Sequence, residues 1–192
     1  MSREIFLIAG LGNPGEAYAH TRHNAGYEAM ALLEKHYQVT LERKMLQGVL
    51  AEVPQGDRKV VLCRPLTYMN RSGDCVAKLL HWYHCEPDHL LVIYDDIDLP
   101  PGRVRVRREG GPGTHNGMRS IVEALGRQDF PRIRIGTGDR PAGYDLADWV
   151  LGHYDAQTRE IMEAAFRRAA ETAADWVENG IDHAMQLGNR PG

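Results

Sequence analysis

Long apolar runs are missing from this chain of 192 residues, and cysteine is scarce. No stretch approaches the eighteen or so apolar residues that a bilayer crossing needs, and the first residues lack a basic region followed by a sustained apolar segment. The expectation is a cytoplasmic chain without a membrane partner. The three cysteines, Cys63, Cys75 and Cys85, cannot all pair within one chain and show no C-x-x-C spacing, so they read as reduced, packed thiols. None lies in a glycine-rich turn beside a histidine, as a catalytic cysteine would. Internal repeats and low-complexity segments are also absent. With 43% hydrophobic residues the chain can bury the core of one domain, residues 1-192.

What is present is an alternation of strand and helix patterns, and the expected class is α/β. Strands are predicted at 5–10, 49–53, 59–64, 90–94, 103–107 and 132–136, with 54–58 forming a hairpin turn. Helices are predicted at 25–37, 70–83 and 118–125. A long closing helix runs over 156–179, with Asn179-Gly180 as its stop.

Between the first strand and the first helix lies Gly10-Leu-Gly-Asn-Pro-Gly15, then Tyr18, then Thr21-Arg-His-Asn-Ala-Gly26. Gly10, Gly12 and Gly15 satisfy G-x-G-x-x-G after a strand, the dinucleotide fingerprint. Its context is wrong. A helix should open on the third glycine, but Pro14 and a polar stretch delay it to Ala25, and the acid at the right distance, Glu34, falls inside that helix. No nucleotide cofactor is expected. Asn13, His23 and Asn24 instead supply amides and a titratable base at a strand's carboxyl end, where open α/β sheets bind ligands.

Net charge is only −3, yet residues 103–140 carry nine arginines against four acids. In Arg103-Val-Arg-Val-Arg107, alternation turns the valines to one face and three guanidiniums to the other. This is either a phosphate track for nucleic acid or a charged face blunting a sheet edge. Other polar residues recur where strands or turns feed helices: Asn70, Asp95 and the pair His115-Asn116. Asn70 and Asn116 could also be helix caps, Asp95 a turn cap and His23 a packed histidine. In isolation Tyr68 and Met69 read as core. His20/His23 and His81/His84 give H-x-x-H, and Asp95, Asp96 and Asp98 a carboxylate cluster. These spacings lack the i, i+4 geometry of a zinc-protease helix, and no metal is expected.

Four motifs, in order, resemble the bacterial-type peptidyl-tRNA hydrolases. They are Gly10-Leu-Gly-Asn-Pro-Gly15 with Thr21-Arg-His-Asn-Ala-Gly26; Pro65-Leu-Thr-Tyr-Met-Asn-Arg-Ser-Gly73; Asp95-Asp-Ile-Asp-Leu-Pro-Pro-Gly102; and Gly113-Thr-His-Asn-Gly-Met-Arg-Ser-Ile121. The resemblance covers roughly residues 5 to 180. It implies a single compact domain with a mixed, mostly parallel sheet flanked by helices, and a monomer. The implied activity, serving translation and ribosome rescue, cuts the ester between a peptide and tRNA without metal or cofactor. By the same resemblance His23 is the proton acceptor that activates water, Asp95 the carboxylate that orients it, and Asn13 the group that separates blocked from free aminoacyl esters. Tyr18, Tyr68, Met69, Asn70 and Asn116 match substrate-binding positions, and Arg105, Arg107 and Arg134 match tRNA-contacting ones. The chain departs from the pattern at Thr114, where a small residue is expected, at Pro112, which stiffens the same loop, and at Tyr94, where a histidine often precedes the aspartate. It ends without a basic tail, so little RNA binding is expected from that end.

Overall fold

The computed structural model describes residues 3–192. Its strands are β1 (Glu4–Gly10), β2 (Arg43–Met45), β3 (Gly48–Gln55), β4 (Arg58–Pro65), β5 (Leu90–Asp96), β6 (Val104–Arg107) and β7 (Arg132–Gly136). They form one sheet in the order β2-β3-β4-β1-β5-β7-β6. The central strands β4, β1, β5 and β7 run parallel, and β2, β3 and β6 are antiparallel to their neighbours. This is the mixed, mostly parallel α/β sheet expected from the sequence. The helices are α1 (Ala25–Tyr37), α2 (Ser72–Tyr83), α3 (Asn116–Leu125), α4 (Leu146–Val150) and α5 (Ala156–Gly188).

Both faces of the sheet are covered, so the central strands are almost continuously apolar. Along β1, Phe6 and Ile8 point into the core beneath α1 and α5, while Leu7 and Ala9 point into the core beneath α2 and α3. Cys63 and Cys75 meet in the second core with their sulfurs 3.8 Å apart, reduced and packed as expected. Among the described residues no helix is long and apolar enough to cross a membrane.

The three glycines of the fingerprint have separate uses. A Cβ on Gly10 would collide with Met30 and the Gly26 carbonyl, and one on Gly12 would sit 2.6 Å from the Tyr27 ring. Gly10 and Gly12 therefore serve the close seating of α1 on β1. Only Gly15 needs a turn conformation, at φ 103°, and it opens a short 3-10 turn, Glu16–Tyr18, in place of the long helix a pyrophosphate would face.

Two elements differ from expectation by addition. Strand β2 and helix α4 are three and five residues long, too short for either periodicity to show. A third differs by extension: Gly180 has φ 86° and ψ 175° but only kinks α5, which resumes to Gly188. Arg58 bonds the carbonyls of Val177 and Glu178 that the kink frees.

Candidate functional site

The carboxyl ends of β1 and β5 open into a crevice of about 720 Å³. Its floor is Asp95, the last but one residue of β5, 2% exposed. A buried carboxylate must find donors, and both oxygens do. His23 Nδ1 lies 2.8 Å from Oδ2, and His115 Nε2 lies 2.8 Å from Oδ1. His23 arrives on the 3-10 turn Arg22–Asn24 that leads into α1, and His115 is the N-cap of α3. The two imidazole centroids are 5.0 Å apart.

The histidines are not equivalent. His115 Nδ1 accepts the backbone N–H of Met118 at 3.2 Å, so its proton sits on Nε2 and points at Asp95. Both its nitrogens are spent. His23 donates from Nδ1 to the same carboxylate, which leaves Nε2 with a free lone pair on the wall of the crevice. Burial works to raise the pKa of Asp95, but the charges and hydrogen bonds of His23 and His115 outweigh it and hold the group well below the usual carboxylate range. Burial works to lower that of His23, and Asp95 overcomes it, leaving the imidazole above its ordinary value of 6.5.

Asn13 is fixed by three bonds. Its backbone N–H donates to Asn24 Oδ1 at 2.9 Å, and Asn24 Nδ2 returns a bond to the Asn13 carbonyl at 3.0 Å. Its side-chain Oδ1 accepts the Met69 N–H at 2.7 Å. With the oxygen end committed, Asn13 offers the crevice its Nδ2 donors. Tyr68 holds φ 60° and ψ 159° just before Met69, a region costing about 1–3 kcal/mol for a residue with a side chain. That strained peptide aims the Met69 N–H at Asn13.

Tyr18 and Tyr68 stand edge to face, 6.2 Å apart, at the crevice, and Asn70 and Asn116 line it. Neither asparagine caps a helix: α2 begins after Arg71 without a side-chain cap, and His115 caps α3. The Met69 side chain is buried in the core beneath α2 and α3, so what this residue gives the site is its N–H.

The arginines divide. Arg132, 1% exposed, spends its guanidinium on the carbonyls of Gly110, Gln128 and Phe130. It is a strut for the glycine-rich loop, which also turns on His115 N–H to Pro112 O at 3.2 Å. Arg127 and Arg108 pair with Asp129 and Asp182. Arg134 pairs through Nε with Asp96 at 2.5 Å, and both residues line the crevice. Arg105 sits opposite Arg134 in the β6–β7 ladder; burial and the charges of Arg103, Arg107 and Arg134 lower its pKa. Val104 and Val106 are buried behind them, as the alternation predicts. Strand β6 is the sheet's last strand, but at Val106 its edge is already capped: Asn189 accepts the N–H at 2.7 Å and donates to the carbonyl at 3.1 Å.

Neither H-x-x-H spacing assembles a site. His20 bonds Glu28 at 2.7 Å on the surface, and His81 and His84 close α2. The group that does come together is His23, Asp95 and His115, with candidate ligand atoms within 4.8 Å of one another. They are already joined by two 2.8 Å hydrogen bonds, and the His115 nitrogen a cation would need carries the proton. Asn24 and His115 are the site residues whose roles the sequence left open. The signals for His115 are its place ahead of the helix predicted from 118 and its position in the motif Gly113-Thr-His-Asn. Tyr94, the unusual neighbour of Asp95, packs edge-on against His115 with centroids 4.9 Å apart, and burial pushes its phenol up to about 12.

Comparison with known proteins identifies the family. The peptidyl-tRNA hydrolase family model matches residues 7–191. A peptidyl-tRNA hydrolase of Syntrophomonas wolfei is 44% identical over 95% of this chain and 99% of its own, and one of Chloroflexus aggregans is 43% identical over 96% and 99%. The crystal structure of the enzyme from Acinetobacter baumannii superposes with a TM-score of 0.90 at 35% identity, covering 96% of this chain and 94% of that one. The chain belongs to the peptidyl-tRNA hydrolase family.

Proposed function

We propose that the crevice hydrolyses the ester between a peptide's carboxyl group and the terminal ribose of tRNA, with His23 as general base. The observation that carries this assignment is the asymmetry of the two histidines on Asp95: only His23 keeps a free nitrogen. Water attacks the ester carbonyl and loses its proton to His23 Nε2. Asp95 holds the tautomer that makes this nitrogen basic and stabilises the imidazolium that forms. The developing oxyanion takes a hydrogen bond from Asn13 Nδ2. When the tetrahedral intermediate collapses, the ribose oxygen leaves with the proton returned by His23, giving free peptide and free tRNA. An aminoacyl ester is already activated, so neither a metal nor a covalent nucleophile is needed.

Asn70 and Asn116 supply amides that can bond the N–H and C=O of a peptide without reading its side chains, which hydrolysis of any sequence requires. Tyr18 and Tyr68 contact substrate at the entrance, and Asn13 discriminates blocked from free aminoacyl esters. Arg105, Arg107 and Arg134 hold phosphates of the tRNA, a use favoured by the crowding of Arg103, Arg105, Arg107 and Arg134 at β6 and β7, where Asn189 already caps the edge at Val106. A single chain supplies every polar group named, which supports a monomer, and a tRNA substrate supports a cytoplasmic role in translation and ribosome rescue.

Incubation with N-blocked aminoacyl-tRNA should release free tRNA, and His23→Ala should lower the rate by about 10²- to 10⁴-fold with tRNA affinity intact. A variant keeping more than about a tenth of the wild-type rate would sink the base assignment.

A further inference from the structure

Leu146, Ala147, Val150 and Leu151 make one wall of the crevice, and they belong to α4 and its exit. Five residues cannot hold a helix by their own bonds. The principal packing partner of α4 is the turn Arg22–Asn24, and its attachments converge on one side chain. The Arg22 guanidinium lies 3.5 Å from the centroid of the Trp149 ring, and its NH1 donates to the Trp149 carbonyl at 3.1 Å. The Arg22 backbone N–H donates to Gly152 O at 3.0 Å. Gly152 leaves room for the clamp, since a Cβ there would come within 2.7 Å of Arg22 NH1. Thr21 and His153 add one antiparallel bridge, and Trp149 Nε1 reaches Gly138 O at 3.1 Å.

Arg22 is 9% exposed and forms no ion pair among the described residues. A buried cation held by the faces of Trp149 and Tyr154 and one carbonyl, with its Nε left without a partner among the described residues, is a costly way to gain stability. It is an effective way to fix geometry, because the planar guanidinium stacks and donates at once. The residue after it is His23, so one turn aims the base and carries the strut of the wall that α4 forms.

We infer that Arg22 is a positioning residue that clamps α4 through Trp149, and that it sets how tightly the crevice holds the peptide end of its substrate rather than how fast the ester breaks. The kinetic half of this inference rests on the hydrolase reading above; the clamp itself does not. Two readouts separate them. Hydrogen exchange of the full chain should show residues 141–153 losing protection by about tenfold or more in Arg22→Ala and in Trp149→Leu, with β1, β5 and α1 unchanged. Against N-blocked aminoacyl-tRNA, both variants should raise KM by about tenfold, with kcat and the midpoint of its acid limb nearly unchanged. The double variant should be no worse than either single one, because both remove the same contact. Arg22→Lys, which keeps a cation but not the planar stack, should fall between.

Unchanged exchange at 141–153 overturns the clamp. A loss of protection spread over the whole chain makes Arg22 merely structural, and a fall in kcat at constant KM would mean that it acts on His23 instead. Should Arg22→Ala not fold, Trp149→Leu breaks the same contact from the other side. A wild-type chain that releases no tRNA would refute the hydrolase reading while leaving the exchange result to judge the clamp.

Discussion

The polar cluster on Asp95 and the arginine strand β6 with its neighbour β7 are both dense in charged and titratable groups, and they are built on opposite plans. In the cluster nearly every donor and acceptor is committed: two imidazoles to one carboxylate, one imidazole to a helix N–H, one amide oxygen to a strained peptide. What remains free, His23 Nε2 and Asn13 Nδ2, is specified by subtraction. On the strand the commitments remove residues instead. Arg132 becomes a strut and Arg134 half a salt bridge, and Arg105 and Arg107 are left on one face without an ion pair among the described residues. Buried networks of the first kind fix roles atom by atom. Surface arrays of the second kind act by summed charge.

The largest effect should come from breaking the subtraction. If the free nitrogen is what counts, His23→Ala lowers turnover by about 10²- to 10⁴-fold, while His115→Ala, which removes a support of Asp95 and the cap of α3 but no free nitrogen, costs about tenfold. Equal losses in the same single-turnover assay would erase the distinction between the two histidines. Asn13→Asp comes next. Aspartate keeps an oxygen for the Met69 N–H but replaces the donor with an acceptor, and losing one oxyanion donor costs about 10²- to 10³-fold in kcat. Retained kcat would show that Asn13 meets the substrate with its oxygen.

The cluster should also have a pH signature. His23 is raised above 6.5 by Asp95 and works only when neutral, so kcat/KM should climb with pH through a midpoint above 6.5. Asp95→Asn removes the charge that favours imidazolium, so its residual activity should show the midpoint moved down. A midpoint that stays in place would detach the limb from His23. Stability follows by linkage. Asp95 is depressed, so its contribution is present above the unfolded carboxylate range and lost as pH falls through the folded value. His23 is raised, so its contribution is present below the unfolded value and lost as pH rises through the folded one. Between those limits wild type should gain over Asp95→Asn, as a denaturant titration against pH would show.

The same contrast explains what could be read in advance. Six of the seven strands of the α/β frame were legible because the central strands and long helices carry strong apolar patterns, and His23, Asp95 and Asn13 could be picked out as candidates because they stand at or just past the carboxyl ends of strands. Alternation correctly placed Val104 and Val106 inside. It could not say that Arg132, two residues from Arg134 and on the same side of β7, bonds loop carbonyls, since that depends on where Gly110 and Gln128 come to lie. His115 was visible only as a polar residue before a helix, in the motif Gly113-Thr-His-Asn, because its two partners are 20 residues back and 3 residues on. Helix α4 and its anchor were illegible for a similar reason: Arg22 and Trp149 are 127 residues apart in sequence.

Smaller effects test the strand. Replacing Arg105 or Arg107 by alanine should weaken tRNA binding and lower the slope of log K against log salt by about one for each phosphate contact removed, leaving kcat near wild type. Arg134→Ala should change the slope less, because Asp96 already neutralises part of that charge. An unchanged slope for Arg105→Ala and Arg107→Ala together would return β6 to the role of a charged sheet face.

The smallest expected effect is none, and it tests the cluster in the opposite sense from the substitutions. His23, Asp95 and His115 are close enough to be mistaken for a metal centre. Binding a cation there would require His115 to surrender the proton it donates to Asp95 and to break its bond from Met118 or rotate away. The cap of α3 would go with it. Prolonged treatment with a chelator should therefore leave the hydrolysis of N-blocked aminoacyl-tRNA unchanged, and added zinc should inhibit if it has any effect, by capturing the His23 nitrogen that must accept a proton. Loss of activity on chelation, restored by a stoichiometric divalent cation, would replace the general base by a metal-bound hydroxide and turn the two bonds on Asp95 into features of an unloaded site.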